Sequence, residues 1–228
     1  MTTTLAPASV DREGVSRAPV GLFAVGAVLL ILSGIHPYDR LTWWLEIAPC
    51  PIVASILVAT YARFPLTPLV YRLIFIHAAI LMLGGHYTYA RVPLGFWMEE
   101  AFGFTRNHYD RLGHLAQGFV PAIATREVLL RRTRLERGPL LFTLVACVCL
   151  AVSASYEIFE WWVAVATGTA ADLFLGTQGD PWDTQWDMLM ALVGAITAQV
   201  SLARAHDRAL GRVSDRPLAQ LQGRPGPA

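Results

Sequence analysis

The chain has 228 residues, of which 54 % are apolar and 15 % charged, and its net charge is only +1. This composition fits one compact membrane domain better than a soluble globule, and the near-neutral balance excludes a nucleic-acid-binding surface spread over the molecule. Its three cysteines, Cys50, Cys147 and Cys149, all fall inside apolar runs, where they suit neither a disulfide framework nor a thiolate metal site.

Crossing the hydrocarbon core takes about 20 residues of helix. Six stretches are expected to do so: 19–36, 42–62, 66–86, 112–130, 139–162 and 187–204. A polar arm, 1–16, precedes the first and is expected to be disordered. Arg12 and Arg17 ahead of an apolar run resemble a signal peptide. The run from Pro19 to Ile35 is longer than the usual h-region of about 7–15 residues, however, and no A-x-A site follows, so it is expected to stay as the first helix. The third stretch carries Arg72 near its start, within reach of lipid phosphates by snorkelling. After it, residues 87–111 include PLGFWMEEAFGF, an amphipathic run suited to the membrane interface.

The fourth stretch is the most polar, with His114, Gln117 and Arg126, so lipid touches only part of it and a central place in the bundle follows. Pro121 should kink it. The fifth has no charge from Pro139 to Tyr156. A loop at 163–186 then contains GTQGDPWDTQWD, rich in turn formers. The sixth stretch ends a domain spanning 17–206, and a flexible tail, 207–228, closes the chain.

The charges sort by loop. The N-terminal arm, the loops near 63–72 and 126–137, and the tail hold 14 arginines and 6 acids; the other loops and their flanks hold 4 arginines and 11 acids. That alternation predicts an all-α, six-helix bundle in the lipid bilayer with both termini in the cytoplasm. Trp43, Trp44, Trp97, Trp161, Trp162, Trp182 and Trp186 all map to the outer boundary. They form a one-sided aromatic belt or a shelf for a lipid headgroup or sugar.

The outer ends of the helices also collect ionisable residues. Asp110, His114 and Gln117 share one helical stripe at i, i+4 and i+7. Glu157 and Glu160 share a face of the fifth helix, Asp180, Asp183 and Asp187 open the sixth, and His86 closes the third. Ionisable groups inside a bundle cost several kcal/mol unless paired or coordinated, and Arg106 and Arg111 are too few to neutralise this many acids. A divalent cation is therefore a natural partner; the mixed donors suit Zn, Mn or Fe. The expected ligands are His114, Glu157, Asp183 and Asp187, with Glu160 or Asp110 as general base. His86, Gln117, Asp180, Trp161 and Trp182 are expected to give substrate contacts or support. Ordinary readings compete. Asp183 and Asp187 would cap the sixth helix, and Glu157 and Glu160 would pair with Arg106 or Arg111. His114 and His77 would be satisfied core residues, while His36, His108, Glu99, Glu100 and His206 would be solvated surface.

The blocks NHYDRLGHLAQGFVPAIATRE (107–127), SASYEIFEWW (153–162) and FLGTQGDPWDTQWDMLMALVGA (174–195) resemble the YjdF-like family of bacterial inner-membrane proteins. The resemblance covers roughly 36–200 and implies a polytopic inner-membrane protein. It matches motif positions at Asp110, Gly113, His114, Gln117, Glu157, Glu160, Asp180, Asp183 and Asp187, and implies no activity. A fainter likeness to VanZ-like membrane proteins, a group linked to glycopeptide-antibiotic tolerance, covers one helix pair. It consists of a late Glu, an Asp-rich loop and a helix running from Asp187 to Gly194-Ala195, and the basic residue that pattern carries is absent after Glu160. Three functions stay open: metal-dependent chemistry on a lipid or isoprenoid-linked substrate, a small ion-coupled transporter, and a non-catalytic envelope accessory protein with a structural polar network.

Overall fold

The computed structural model describes residues 17–168 and 172–214. Every regular element among them is a helix: α1 (Arg17–Ser33), α2 (Arg40–Ile47), α3 (Pro49–Tyr61), α4 (Pro68–Tyr87), α5 (Pro93–Phe102), α6 (Tyr109–Arg132), α7 (Pro139–Thr167), α8 (Asp172–Leu175) and α9 (Asp183–Ser214), with a 3₁₀ turn at Tyr89–Arg91. Four spans are long and apolar enough to cross a membrane: Arg40–Tyr61, which joins α2 and α3, then Pro68–Tyr87, Pro139–Thr167 and Asp183–Arg212. The apolar helix at Pro19–Ser33 is shorter. α6 has the length, at 24 residues, but its charged side chains lower its hydropathy.

α6 is the centre of the bundle, as its polarity predicts. It packs against α4, α7 and α9, while α1 and α2 pack on α4. Its closest neighbour is α9. A Cβ added at Gly118 would land on the carbonyl of Ala191, and one at Gly194 on the carbonyl of Leu115. The two backbones touch because these positions carry no side chain, which is how helices associate where no hydrophobic force separates protein from lipid. Below that contact lies an apolar core of Val70, Ala122, Ile123, Leu141, Val145, Cys149, Ala195 and Ala198. Lipid-sized side chains such as Phe23, Ile56, Val152 and Val200 point outward instead.

Several expectations change here. The second stretch is interrupted at Ala48, where Pro49 opens α3 without an N–H to continue the ladder. Pro121 lies within α6, where the sequence puts it, and its missing N–H leaves the Gln117 carbonyl without its helical donor. The sixth stretch is much longer than 187–204. At 32 residues α9 extends about 48 Å, beyond the roughly 30 Å core, so it absorbs the tail up to Ser214. The arm 1–16 and the rest of the tail lie outside the described residues.

Candidate cation site where α6 and α9 begin

Asp110 and His114 stand one turn apart on α6, and Asp187 faces them from α9. One ligand atom from each lies within 4.8 Å of the other two. The His114 and Asp187 side chains are more than nine-tenths buried, and that of Asp110 is 12 % exposed. His114 Nδ1 donates to Gln117 Oε1 at 2.9 Å, since a carbonyl oxygen can only accept. That bond fixes the tautomer and turns the Nε2 lone pair toward Asp110 Oδ1, 3.6 Å away. Glu157 comes from α7, with Oε1 3.8 Å from His114 Nδ1. Neither Glu157 Oε1 nor Asp187 Oδ1 has a hydrogen-bond partner, although both atoms are buried.

Asp183, the remaining expected ligand, is held differently. Its Oδ1 accepts from Arg106 Nη1 at 2.7 Å and Arg111 Nη2 at 3.1 Å. Asp180 Oδ2 accepts from the same two groups at 3.3 and 2.8 Å. The Trp182 backbone N–H on Asp180, followed by the Arg111 bond, holds that carboxyl below the usual range. Burial, and then the charges of Arg106 and Arg111, push the His108 imidazole below its ordinary value. The cluster therefore has an ion-paired rim of Arg106, Arg111, Asp180 and Asp183 and a deeper group with more acid than base, joined by Arg111 Nε, which lies 4.0 Å from Asp187 Oδ1.

The other expected contributors lie outside the trio. Glu160 is half-buried one turn beyond Glu157. His86 faces away from the cluster, its Nδ1 2.9 Å from the Ser33 carbonyl, where it ties α4 to the end of α1. Trp161 and Trp182 are exposed, as are Trp44, Trp97, Trp162 and Trp186. Trp43 is a correction to the belt: it is 7 % exposed and its Nε1 donates to Ser33 Oγ at 3.1 Å. His77 is also not the satisfied core residue expected, because its buried Nε2 has no partner.

Two features escaped the sequence reading. Glu46 on α2 is buried and accepts weakly from Tyr156 at 3.4 Å. Its signal was an acid one turn past Trp43 within an apolar run. The second is a buried network at the opposite end of α6 and α9. Glu127 accepts from the Thr67 backbone N–H (2.9 Å), the Thr67 hydroxyl (2.7 Å), Arg131 (2.7 Å) and His206 Nε2 (3.0 Å). His206, expected on the surface, is fully buried. Arg126 donates to its Nδ1 at 2.8 Å and bridges Asp207 at 2.9 Å. The long α9 carries this histidine back against α6.

Comparison with known proteins agrees with the architecture. Residues 18–208 match the family described as "Predicted membrane protein (DUF2238)". The chain is 50 % identical over 212 residues to Inner membrane protein YjdF of Escherichia coli (strain K12), covering 93 % of this chain and 97 % of that one. No solved structure matches.

Proposed function

From the premise that this chain belongs to the DUF2238 family and is a multi-pass protein of the bacterial inner membrane, we propose that it binds a divalent cation at the outward end of α6 and α9. The bound ion would serve chemistry on a lipid-linked substrate. The reading takes six crossings with both termini in the cytoplasm: α1 and α6 join the four apolar spans, and the arginine-rich loops lie inside. α6 crosses despite its polarity because α4, α7 and α9 surround it.

The observation that carries the site is the trio Asp110, His114 and Asp187, with the buried Oδ1 of Asp187 and the neighbouring Oε1 of Glu157 both lacking a hydrogen-bond donor. A buried carboxylate without a donor is costly, and a cation supplies the missing partner. Asp110, His114 Nε2 and Asp187 would hold the ion, while Glu157, 3.8 Å from His114 Nδ1, adds negative charge beside the trio. Gln117 positions the imidazole. A cation in such a site polarises a phosphoryl oxygen or lowers the pKa of water. Glu160, one turn outward on α7, is placed to take a proton from an incoming group. Asp183 and Asp180 hold Arg106 and Arg111 at the rim, where two cations and two carboxylates balance. The exposed Trp161, Trp182 and Trp186 offer apolar surface at the level where a lipid-linked substrate approaches.

Elemental analysis of detergent-purified protein tests the site. Wild type should carry a stoichiometric Zn, Mn or Fe ion that His114→Ala lacks while remaining folded. Equal metal in both proteins removes the site. A metal-free wild type favours the structural reading, for which the Arg106–Asp183 and Arg111–Asp180 pairs already provide a basis.

A further inference from the structure

The loop between α6 and α7 covers a hollow of about 480 Å³ at the Glu127–His206 end of the bundle, lined by Leu130, Arg131, Leu135, Glu136, Arg137 and Leu210. Both arginines on its wall are fixed from behind. Arg131 Nη1 donates to Glu127 and to the Pro65 carbonyl at 2.7 Å each, and its guanidinium lies 3.9 Å over the Phe64 ring. Arg137 Nε donates to Asp207 at 3.0 Å. Among the described residues their other N–H groups bond to nothing in the protein, so two guanidiniums are presented with their orientation already set. Such pre-organisation reduces the ordering cost of binding an anion. Glu136 is the acid on the rim and forms no salt bridge among the described residues.

We propose that this hollow binds the phosphate headgroup of an anionic phospholipid. Charge selects an anion, since residues 63–72, 126–137 and 204–212 hold ten arginines against Glu127, Glu136 and Asp207. Leu130, Leu135 and Leu210 select a lipid over a free phosphate, because a glycerol backbone and the start of an acyl chain cover apolar wall that a soluble anion leaves wet. In the topology proposed above the hollow, at the α6–α7 loop, falls at the depth where basic pockets between helices meet headgroups. The inner leaflet follows from the orientation proposed above; binding itself does not depend on it.

Native mass spectrometry of the delipidated full chain, with phosphatidylglycerol and phosphatidylcholine offered as probes, tests the site. Phosphatidylglycerol should be retained over phosphatidylcholine, and Arg137→Ala should weaken its retention about fivefold. Arg137 is largely exposed, so its loss leaves the fold intact. Arg63→Ala, an exposed arginine that does not line the hollow, should leave retention unchanged. Equal retention of the two lipids overturns the proposal. So does an Arg63→Ala loss as large as that of Arg137→Ala, which would show diffuse surface charge. Displacement of the lipid by inorganic phosphate overturns it too, by assigning the hollow to a soluble anion.

Discussion

His114 and His206 occupy opposite ends of one helix pair, both buried beside acids, and their hydrogen bonds differ in a way that separates two roles. At His206, Arg126 can only donate, so Nδ1 accepts and Nε2–H goes to Glu127; both ring nitrogens are used. Glu127 in turn takes four donors. At His114 one nitrogen serves Gln117 and the other keeps its lone pair, facing acids that lack donors of their own. A closed network fixes helix register, whereas an open one has capacity left for a ligand. The same backbone contact at Gly118 and Gly194 supports both ends.

Breaking the closed end should have the largest effect. Glu127→Ala strips partners from Thr67, Arg131 and His206 and should cost about 3–5 kcal/mol of stability, read as a large drop in the thermal midpoint in detergent. Next comes the shared contact. Gly118→Val drives side-chain atoms into the Ala191 backbone, which cannot swing aside, and should cost about 3 kcal/mol. It should also abolish metal retention, because it separates Asp187 from His114.

The open end should behave in the opposite sense. Glu157→Gln removes a buried charge with an unpaired oxygen, so metal-free protein should gain about 1 kcal/mol while metal affinity falls. A Glu157→Gln loss of stability comparable to that of Glu127→Ala would erase the distinction between the two ends. The smallest effect concerns His108. Its folded pKa lies below the free value of about 6.5, so folding opposes its protonation. Its contribution is complete above that pH and is lost as the pH falls through the folded value. His108→Gln should flatten the decline in thermal midpoint on the acid side of pH about 6.5.

The cluster at the start of α6 and α9 was legible in the sequence because its parts are local. Asp110, His114 and Gln117 lie within two helical turns, and Asp180, Asp183 and Asp187 are crowded at the start of α9. Which acids stay unpaired was not legible, since the Arg106 and Arg111 contacts cross about 70 residues of chain. His206 was misplaced for a related reason. An arginine-rich segment looks solvated whether it is a tail or the end of a helix, and only the α6–α9 register set by Gly118 and Gly194 reveals that it returns to Glu127. Glu46 was hidden because a lone acid beside tryptophans looks like an interface residue. The apolar segments themselves were readable from composition, and the break before Pro49 could have been found from that proline.

Pulsed electron paramagnetic resonance of the Mn(II)-loaded, detergent-purified protein tests the central claim most directly, because nitrogen coupling reports an imidazole bound to the ion. The account predicts coupling from one histidine that disappears in His114→Ala and persists in His206→Ala. Coupling that is absent from wild type, or that survives the loss of His114, would contradict it.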